Sequence, residues 1–371
     1  AEGPDGKIYV GGNFTNAGTN GDADYLARWD PVAERWEVVV AGIAGDISAL
    51  TFDANGDLYI GGGFTDLGSA AGDYIVKITD LSGTPTVNAL GTGTNGTVYE
   101  IAVAPNGDVY AGGGFTLAGG VANTAKIAKW DGASWSALST GLNDDIHALA
   151  FAPNGDLFIG GEFTDAAYPY LCKWNGTAFS VVGTNTDINA KVFELTFDAT
   201  GWLYVGGNFT NAGGIPNADK IAKWNGSQWE SLGTGVDDTV GGIVVNSGKV
   251  YAAGLFHSAG GLILSDRVAV WSNGAWIPLD IDLPGTSQIN AILPASDGSL
   301  YIGGAFSTAG ETPDVNAQCG IISDRIYTVG VTSASANTYP YMQITGPGTL
   351  QAITNYTTGK SVMFDGLTLN A

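Results

Sequence analysis

The chain has 371 residues, of which 14 are basic and 36 acidic, giving a net charge of −22. That charge repels nucleic-acid phosphates and anionic lipid headgroups, so nucleic acid is not an expected partner. The 44% hydrophobic content supports a large core, but no apolar run approaches the roughly 20 residues that cross a bilayer, so no membrane insertion is expected.

The organising feature is an internal repeat, met first at Tyr9-Val10-Gly11-Gly12-Asn13-Phe14-Thr15 and again at Tyr59-Ile60-Gly61-Gly62-Gly63-Phe64-Thr65. It continues through Phe115, Phe163, Phe209, a degenerate copy at Phe256, and Phe306, with successive spacings of 50, 51, 48, 46, 47 and 50 residues. A period of this size built from short strands and glycine-rich turns is that of propeller blades. Within each unit an apolar innermost strand such as Ile146 to Phe151 leads through a Pro-Asn-Gly-Asp turn into the Gly-Gly strand. Turns of that composition supply the positive φ that tight hairpins need. A longer loop follows, then a third strand such as Ile221-Ala222-Lys223-Trp224, an Asn-Gly turn, and an outer strand near Trp229. The Trp pairs 29/36, 130/135, 224/229 and 271/276 are read as packing between blades, and the glycine pairs as permitting close blade contact.

This grammar predicts an all-β chain. Residues 1–331 form a seven-bladed β-propeller of four-stranded blades, the first lacking its innermost strand because Ala1 to Gly6 already reads as a turn. Residues 332–371 form a linker and the opening strands of a β-sandwich-like segment.

The phrases at 206–235, Gly-Gly-x-Phe-Thr-x-Ala-Gly-Gly, then Ile-Ala-Lys-Trp-Asn-Gly-Ser-x-Trp and Leu-Gly-Thr-Gly, resemble kelch-like and delta-60-type propeller repeats of bacteria and phages. That resemblance implies the fold and leaves function open, since one scaffold carries enzymes, lectins and adaptors. The stretch from Tyr339 to Gly348, with Ile353 to Lys360 and Leu367 to Ala371, resembles the first strands of the galectin-like β-sandwich of phage distal-tail proteins. It implies a propeller inserted in or fused to a tail subunit, within a longer polypeptide.

Catalytic signatures are sparse. His147 and His257 are the only histidines, too few for a kelch-type copper oxidase, and the four arginines do not form the triad of sialidase-like propellers. Two cysteines, Cys172 and Cys319, give neither a disulfide framework nor a metal clip. The long loops and the outer-to-inner connections emerge on one face, which is the candidate binding surface. There Asp144, Asp145, Asp237 and Asp238 are the carboxylates that calcium would select, if any cofactor is bound. Glu100 and Glu194 stand where other innermost strands carry Ala or Gly, with His147 between them one position earlier. The shortened loop at 165–170 adds Tyr168 and Tyr170, which could stack on a sugar.

These readings point to a non-enzymatic structural and recognition module of a phage tail or tail-like virion protein. Its expected partners are neighbouring subunits of a larger homo-oligomeric assembly or a host-surface glycan, and its expected location is virion or extracellular. The alternatives are a secreted or cell-surface lectin or adhesin, and a glycan-active hydrolase or lyase working through Glu100 or Glu194.

Overall fold

The computed structural model describes residues 1–305, except 16, 18–22, 66, 68–72, 263–266, 280–287 and 297, together with the strands 319–322, 348–355 and 360–369. It separates into a unit of residues 1–322 and a second of residues 323–371. In the second unit Gly348–Asn355 pairs antiparallel with Lys360–Leu369, with a register shift between Leu350 and Ala352. Among the described residues no helix is long and apolar enough to cross a membrane.

The first unit is a β-propeller. Five of its sheets have four antiparallel strands in sequence order, and two have three. Innermost strands run at Ile47–Phe52, Val98–Val103, Ile146–Phe151, Val192–Phe197, Val240–Asn246 and Gln288–Pro294. Counted by these strands, the described ring has six blades, which corrects the expected seven four-stranded ones. The first repeat contributes a three-stranded sheet, Ile8–Gly11, Leu26–Asp30 and Arg35–Val38. Only Ala1 to Gly3 stand in for its innermost strand: the Tyr9 N–H donates to the Ala1 carbonyl at 2.8 Å and the Gly3 N–H to the Lys7 carbonyl at 2.8 Å. This sheet docks on the last described blade, where Ile8 packs with Ala295 and Tyr301, and Glu2 accepts the Ser296 N–H at 2.9 Å.

The repeat phrase explains this architecture residue by residue. A Cβ on the first glycine of each pair would press on the first residue of the next innermost strand, as Gly61 on Val98 at 2.7 Å and Gly112 on Ile146 at 2.6 Å. In blades with a full innermost strand a Cβ on the second would strike a backbone carbonyl of its own blade, as Gly113 on Thr97 and Gly207 on Lys191. The pair therefore closes two interfaces that a side chain would press on, with Ala253 in the first place in the degenerate copy. The phenylalanines after it, Phe64, Phe115, Phe163, Phe209 and Phe256, are fully buried.

The tryptophan pairs face each other across the third and outer strands with ring centroids 5.2–5.6 Å apart. Indole N–H groups also tie blades together: Trp135 donates to the Leu90 carbonyl at 2.7 Å and Trp276 to the Leu232 carbonyl at 2.8 Å. Both bonds are buried, and each carbonyl also accepts a turn N–H, Leu90 from Gly93 at 3.1 Å and Leu232 from Gly235 at 3.0 Å.

Candidate functional site

Each of the six innermost strands carries a β-bulge at its second residue, or at its third in Gln288–Pro294, beside the end of the Gly-Gly strand from which the long loop rises. A bulge re-aims side chains and sharpens local twist. The bulged positions are Ser48, Tyr99, His147, Phe193, Gly241 and Asn290, and the residues after them are Ala49, Glu100, Ala148, Glu194, Gly242 and Ala291.

All of the second set but Ala148, which is buried in the core, line one cavity. Glu100 and Glu194 both line a central cavity of about 620 Å³, with Ile8 to Phe14, Asp46 to Leu50, Gly242 to Val244 and Asn290 to Leu293. One oxygen of each carboxyl accepts the next residue's N–H, Ile101 to Glu100 and Leu195 to Glu194, both at 3.0 Å. The other oxygen of each has no partner among the described residues. Burial between blades pushes the Glu100 carboxyl up to about 8, against the opposing pull of the Ile101 hydrogen bond. Burial also raises Glu194 well above the usual carboxylate range, and the charge of Glu100 raises it further. The two acids thus share one electrostatic environment across the blade that places small Ala148 between them.

The bulged residues of the same three blades form an aromatic arc. The His147 ring stacks on Tyr99 at 5.3 Å and leans on Phe193 at 5.4 Å. All three are half-buried. His147 Nε2 lies 3.1 Å from Glu162 Oε1, and Lys191 pairs with the other oxygen of Glu162 at 2.5 Å. Burial alone would raise the Glu162 carboxyl, but the bonds from Lys191 and His147 outweigh it and hold it below its ordinary value. On the neighbouring blade Lys126 pairs with Asp145 at 2.6 Å.

Of the residues singled out in the sequence, Glu100 and Glu194 therefore share a cavity, whereas His147 belongs to the arc and its rim pair. Tyr99, Phe193 and Glu162 were not singled out. The last does interrupt the repeat, since Gly-Gly-Glu-Phe-Thr stands where other copies have Asn, Gly, Leu or Ala.

The tyrosine loop follows the repeat in its backbone. Tyr170 has φ +63°, and Tyr25, Tyr74, Lys126, Lys220 and Arg267 occupy the same left-handed position in their own blades, φ +62° to +67°. There the Tyr170 N–H donates to the Phe163 carbonyl at 2.8 Å and its carbonyl accepts the Gly161 N–H at 3.1 Å. Tyr170 is thus a loop-closing position of the repeat, not an extra aromatic, and its ring packs on the adjacent core. Tyr168 rests 5.8 Å from Phe179. Neither tyrosine lines the central cavity.

The aspartates expected to select calcium are engaged in turns. Asp237 accepts the His257 and Ser258 N–H groups at 2.8 and 2.9 Å, Asp238 accepts the Thr239 N–H at 2.6 Å, and Asp144 accepts that of Asp145 at 2.9 Å. Among the described residues no three His, Cys, Asp or Glu side chains gather as a metal site would require. Cys172 is buried, which pushes its thiol up and leaves it a packing residue.

Fold and channel together define a β-propeller. No protein-family model matches the sequence, and no curated protein matches it significantly. Among solved structures it is similar to YCF48 bound to D1 peptide, at 15% identity over 86% of this chain and 96% of that one, with a TM-score of 0.53. It is also similar to the WD40 β-propeller domain of Doa1, at 16% identity over 79% and 84% of the two chains, TM-score 0.48. Virginiamycin B lyase from Staphylococcus aureus is similar at 13% identity over 86% and 89%, TM-score 0.47. At 15% identity the likeness to YCF48 establishes the fold alone.

Proposed function

We propose that this protein is a non-catalytic recognition module, that the channel mouth on its loop-bearing face is the recognition surface, and that it belongs to a phage tail or tail-like particle. The observation that carries the recognition half is the departure of three successive blades from the repeat: Tyr99, His147 and Phe193 form one arc of rings at their bulges, and Glu100 and Glu194, each the next residue of its strand, line the central cavity. A rigid ring of sheets holds them in fixed register, which is how loops and strand ends on a scaffold recognise partners. The particle half rests on the likeness of residues 339–371 to the tail-protein sandwich. Sedimentation of native source material on a density gradient, with mass spectrometry of the fractions, tests it. Peptides of this chain in particle-sized fractions are expected; peptides confined to slow fractions would discard the particle assignment.

A second reading is favoured by one observation, the raised carboxyl of Glu100. A group that keeps its proton near neutral pH can act as a general acid, as a glycan-active lyase or hydrolase requires. Turnover of a polysaccharide by the protein that Glu100→Gln abolishes would establish this reading in place of the first.

A further inference from the structure

We propose that the cleft between the blade of Ile146–Phe151 and the blade of Val192–Phe197 binds a neutral oligosaccharide, with Trp224 carrying one sugar ring and the Val182 carbonyl taking a hydroxyl. This site lies apart from the channel: none of its lining residues lines the central cavity, and it is independent of the reading given for the channel mouth.

The cleft lies where one connection departs from the repeat. The chain passes from Leu90 to Val98 through residues 91–97 and from Leu232 to Val240 through 233–239, but from Val182 to Val192 through the longer 183–191. In the short connections a Cβ on the first glycine would touch the first tryptophan of the next pair, Gly91 on Trp130 at 3.1 Å and Gly233 on Trp271 at 2.9 Å. In the long one a Cβ on Gly183 would meet Asp187 and Trp229 instead. Asp187 also takes over the indole bond: its carboxylate accepts the Trp229 Nε1–H at 3.0 Å and the Thr184 N–H at 2.9 Å. The Val182 carbonyl is thereby released. Its counterparts Leu90 and Leu232 each accept a turn N–H and an indole N–H, whereas Val182, itself buried, accepts no hydrogen bond among the described residues. An orphan acceptor in such a place calls for a donor from outside the chain.

The space beside it, about 1120 Å³, is large enough for several sugar rings and has two chemical aspects. One blade contributes linked polar groups, in which the Asn154 amide and Lys173 Nζ each reach the same Asp156 oxygen at 3.2 Å. The next contributes the half-buried Trp224 indole, tilted on Trp229 with centroids 5.2 Å apart, and the exposed Gln228, whose side-chain amide has no partner among the described residues. Phe158, Phe197 and Val181 add apolar surface. A pyranose presents the matching aspects, C–H bonds that pack on an aromatic face and hydroxyls that both donate and accept.

Charged ligands fit less well. Asp156, Lys173 and Asp187 are the charged side chains that line the cleft; the first two pair with each other, and the third is occupied by Thr184 and Trp229. A wholly apolar ligand would leave the Val182 carbonyl unpaired.

The test is isothermal titration of the whole 371-residue chain with tetrasaccharides of glucose, mannose, galactose and N-acetylglucosamine, and with tetragalacturonate as an acidic counterpart. Each is taken to about 10 mM, which reveals even a millimolar Kd. At least one neutral tetrasaccharide is expected to bind, and tetragalacturonate at least about tenfold more weakly. Trp224→Ala, checked for an unchanged fold by circular dichroism, should weaken binding about tenfold. Gln228→Ala, a change at an exposed side chain, should weaken it about threefold. Replacing residues 183–191 with the sequence of 233–239 restores the short connection and should abolish binding. Ser134→Ala, at the position in the blade of Val98–Val103 that corresponds to Gln228, should leave it unchanged. Binding of none of the neutral tetrasaccharides, tighter binding of tetragalacturonate, or full binding by the short-connection and Gln228→Ala variants would overturn the proposal.

Discussion

His147 Nε2 sits 3.1 Å from Glu162 Oε1, a bond that joins the bulge of one innermost strand to the end of the Gly-Gly strand beside it. It holds the imidazole between the rings of Tyr99 and Phe193 and apart from the cavity that Glu100 and Glu194 line. His147→Ala removes one of the two bonds that hold the Glu162 carboxyl below its ordinary value, so it should raise the pH at which Glu162 titrates. NMR titration of the Glu162 carboxyl carbon in both proteins checks this. An unchanged midpoint would mean the bond is not formed in solution.

The two channel acids should make stability pH-dependent in an unusual direction. Their folded-state carboxyls are raised, so between pH 4.5 and about 8 the folded chain holds more protons than the unfolded one. Stability therefore falls as pH rises through that window. Solvent reaching the channel reduces the effect, leaving a loss on the order of 1–3 kcal/mol between pH 5 and 8. Urea unfolding at several pH values should show this slope, and the Glu100→Gln, Glu194→Gln double variant should flatten it.

The first sheet should respond to acid in the opposite sense. Glu37 is held at about 2, chiefly by Lys7 at 2.6 Å and further by Arg35 and Arg28. Its contribution is complete above pH 4.5 and is lost as pH falls toward 2. Glu37→Gln should unfold more readily at pH 7 than the parent, and the difference should shrink at pH 2 to 3 when followed by thermal melting.

The glycine pairs predict a sharp contrast between neighbouring positions. Gly113→Ala places a methyl against the Thr97 carbonyl and should cost about 3 kcal/mol or more. Gly107, in the open hairpin turn at φ +89°, meets nothing within 4 Å, so alanine there should cost only about 1 kcal/mol from the backbone angle. Denaturant titrations of the two variants distinguish them, and equal losses would mean that the close approach at Gly113 is not what requires glycine.

Trp135 and Trp130 form a tilted pair, but only the Trp135 indole is bonded to another blade, at the Leu90 carbonyl. Trp135→Phe should therefore cost about 0.5–1.5 kcal/mol more than Trp130→Phe, since it removes a buried hydrogen bond between blades while the Leu90 carbonyl keeps the Gly93 N–H. Thermal melts of the two proteins compare them directly.

Read from the sequence alone, the repeat fixes strand order, the long-loop face and the packing role of Phe64, Phe115 and the tryptophan pairs. Each is local: a Gly-Gly pair, an Asn-Gly turn or an apolar run carries its own conformational demand, and repetition multiplies the signal. Glu100 and Glu194 were also legible, as charged residues where other units carry Ala or Gly. What only the tertiary structure decided depends on neighbours distant in the chain. Tyr170 reads as an added aromatic until its left-handed backbone is seen beside those of Tyr74 and Lys220. The number of complete blades depends on how Ala1 to Gly3 pair with Lys7 to Tyr9. Tyr99, His147 and Phe193 lie 46–48 residues apart and become one arc because a bulge in each innermost strand turns them together. A bulge arises from the pairing of two strands, so no single strand's sequence announces it.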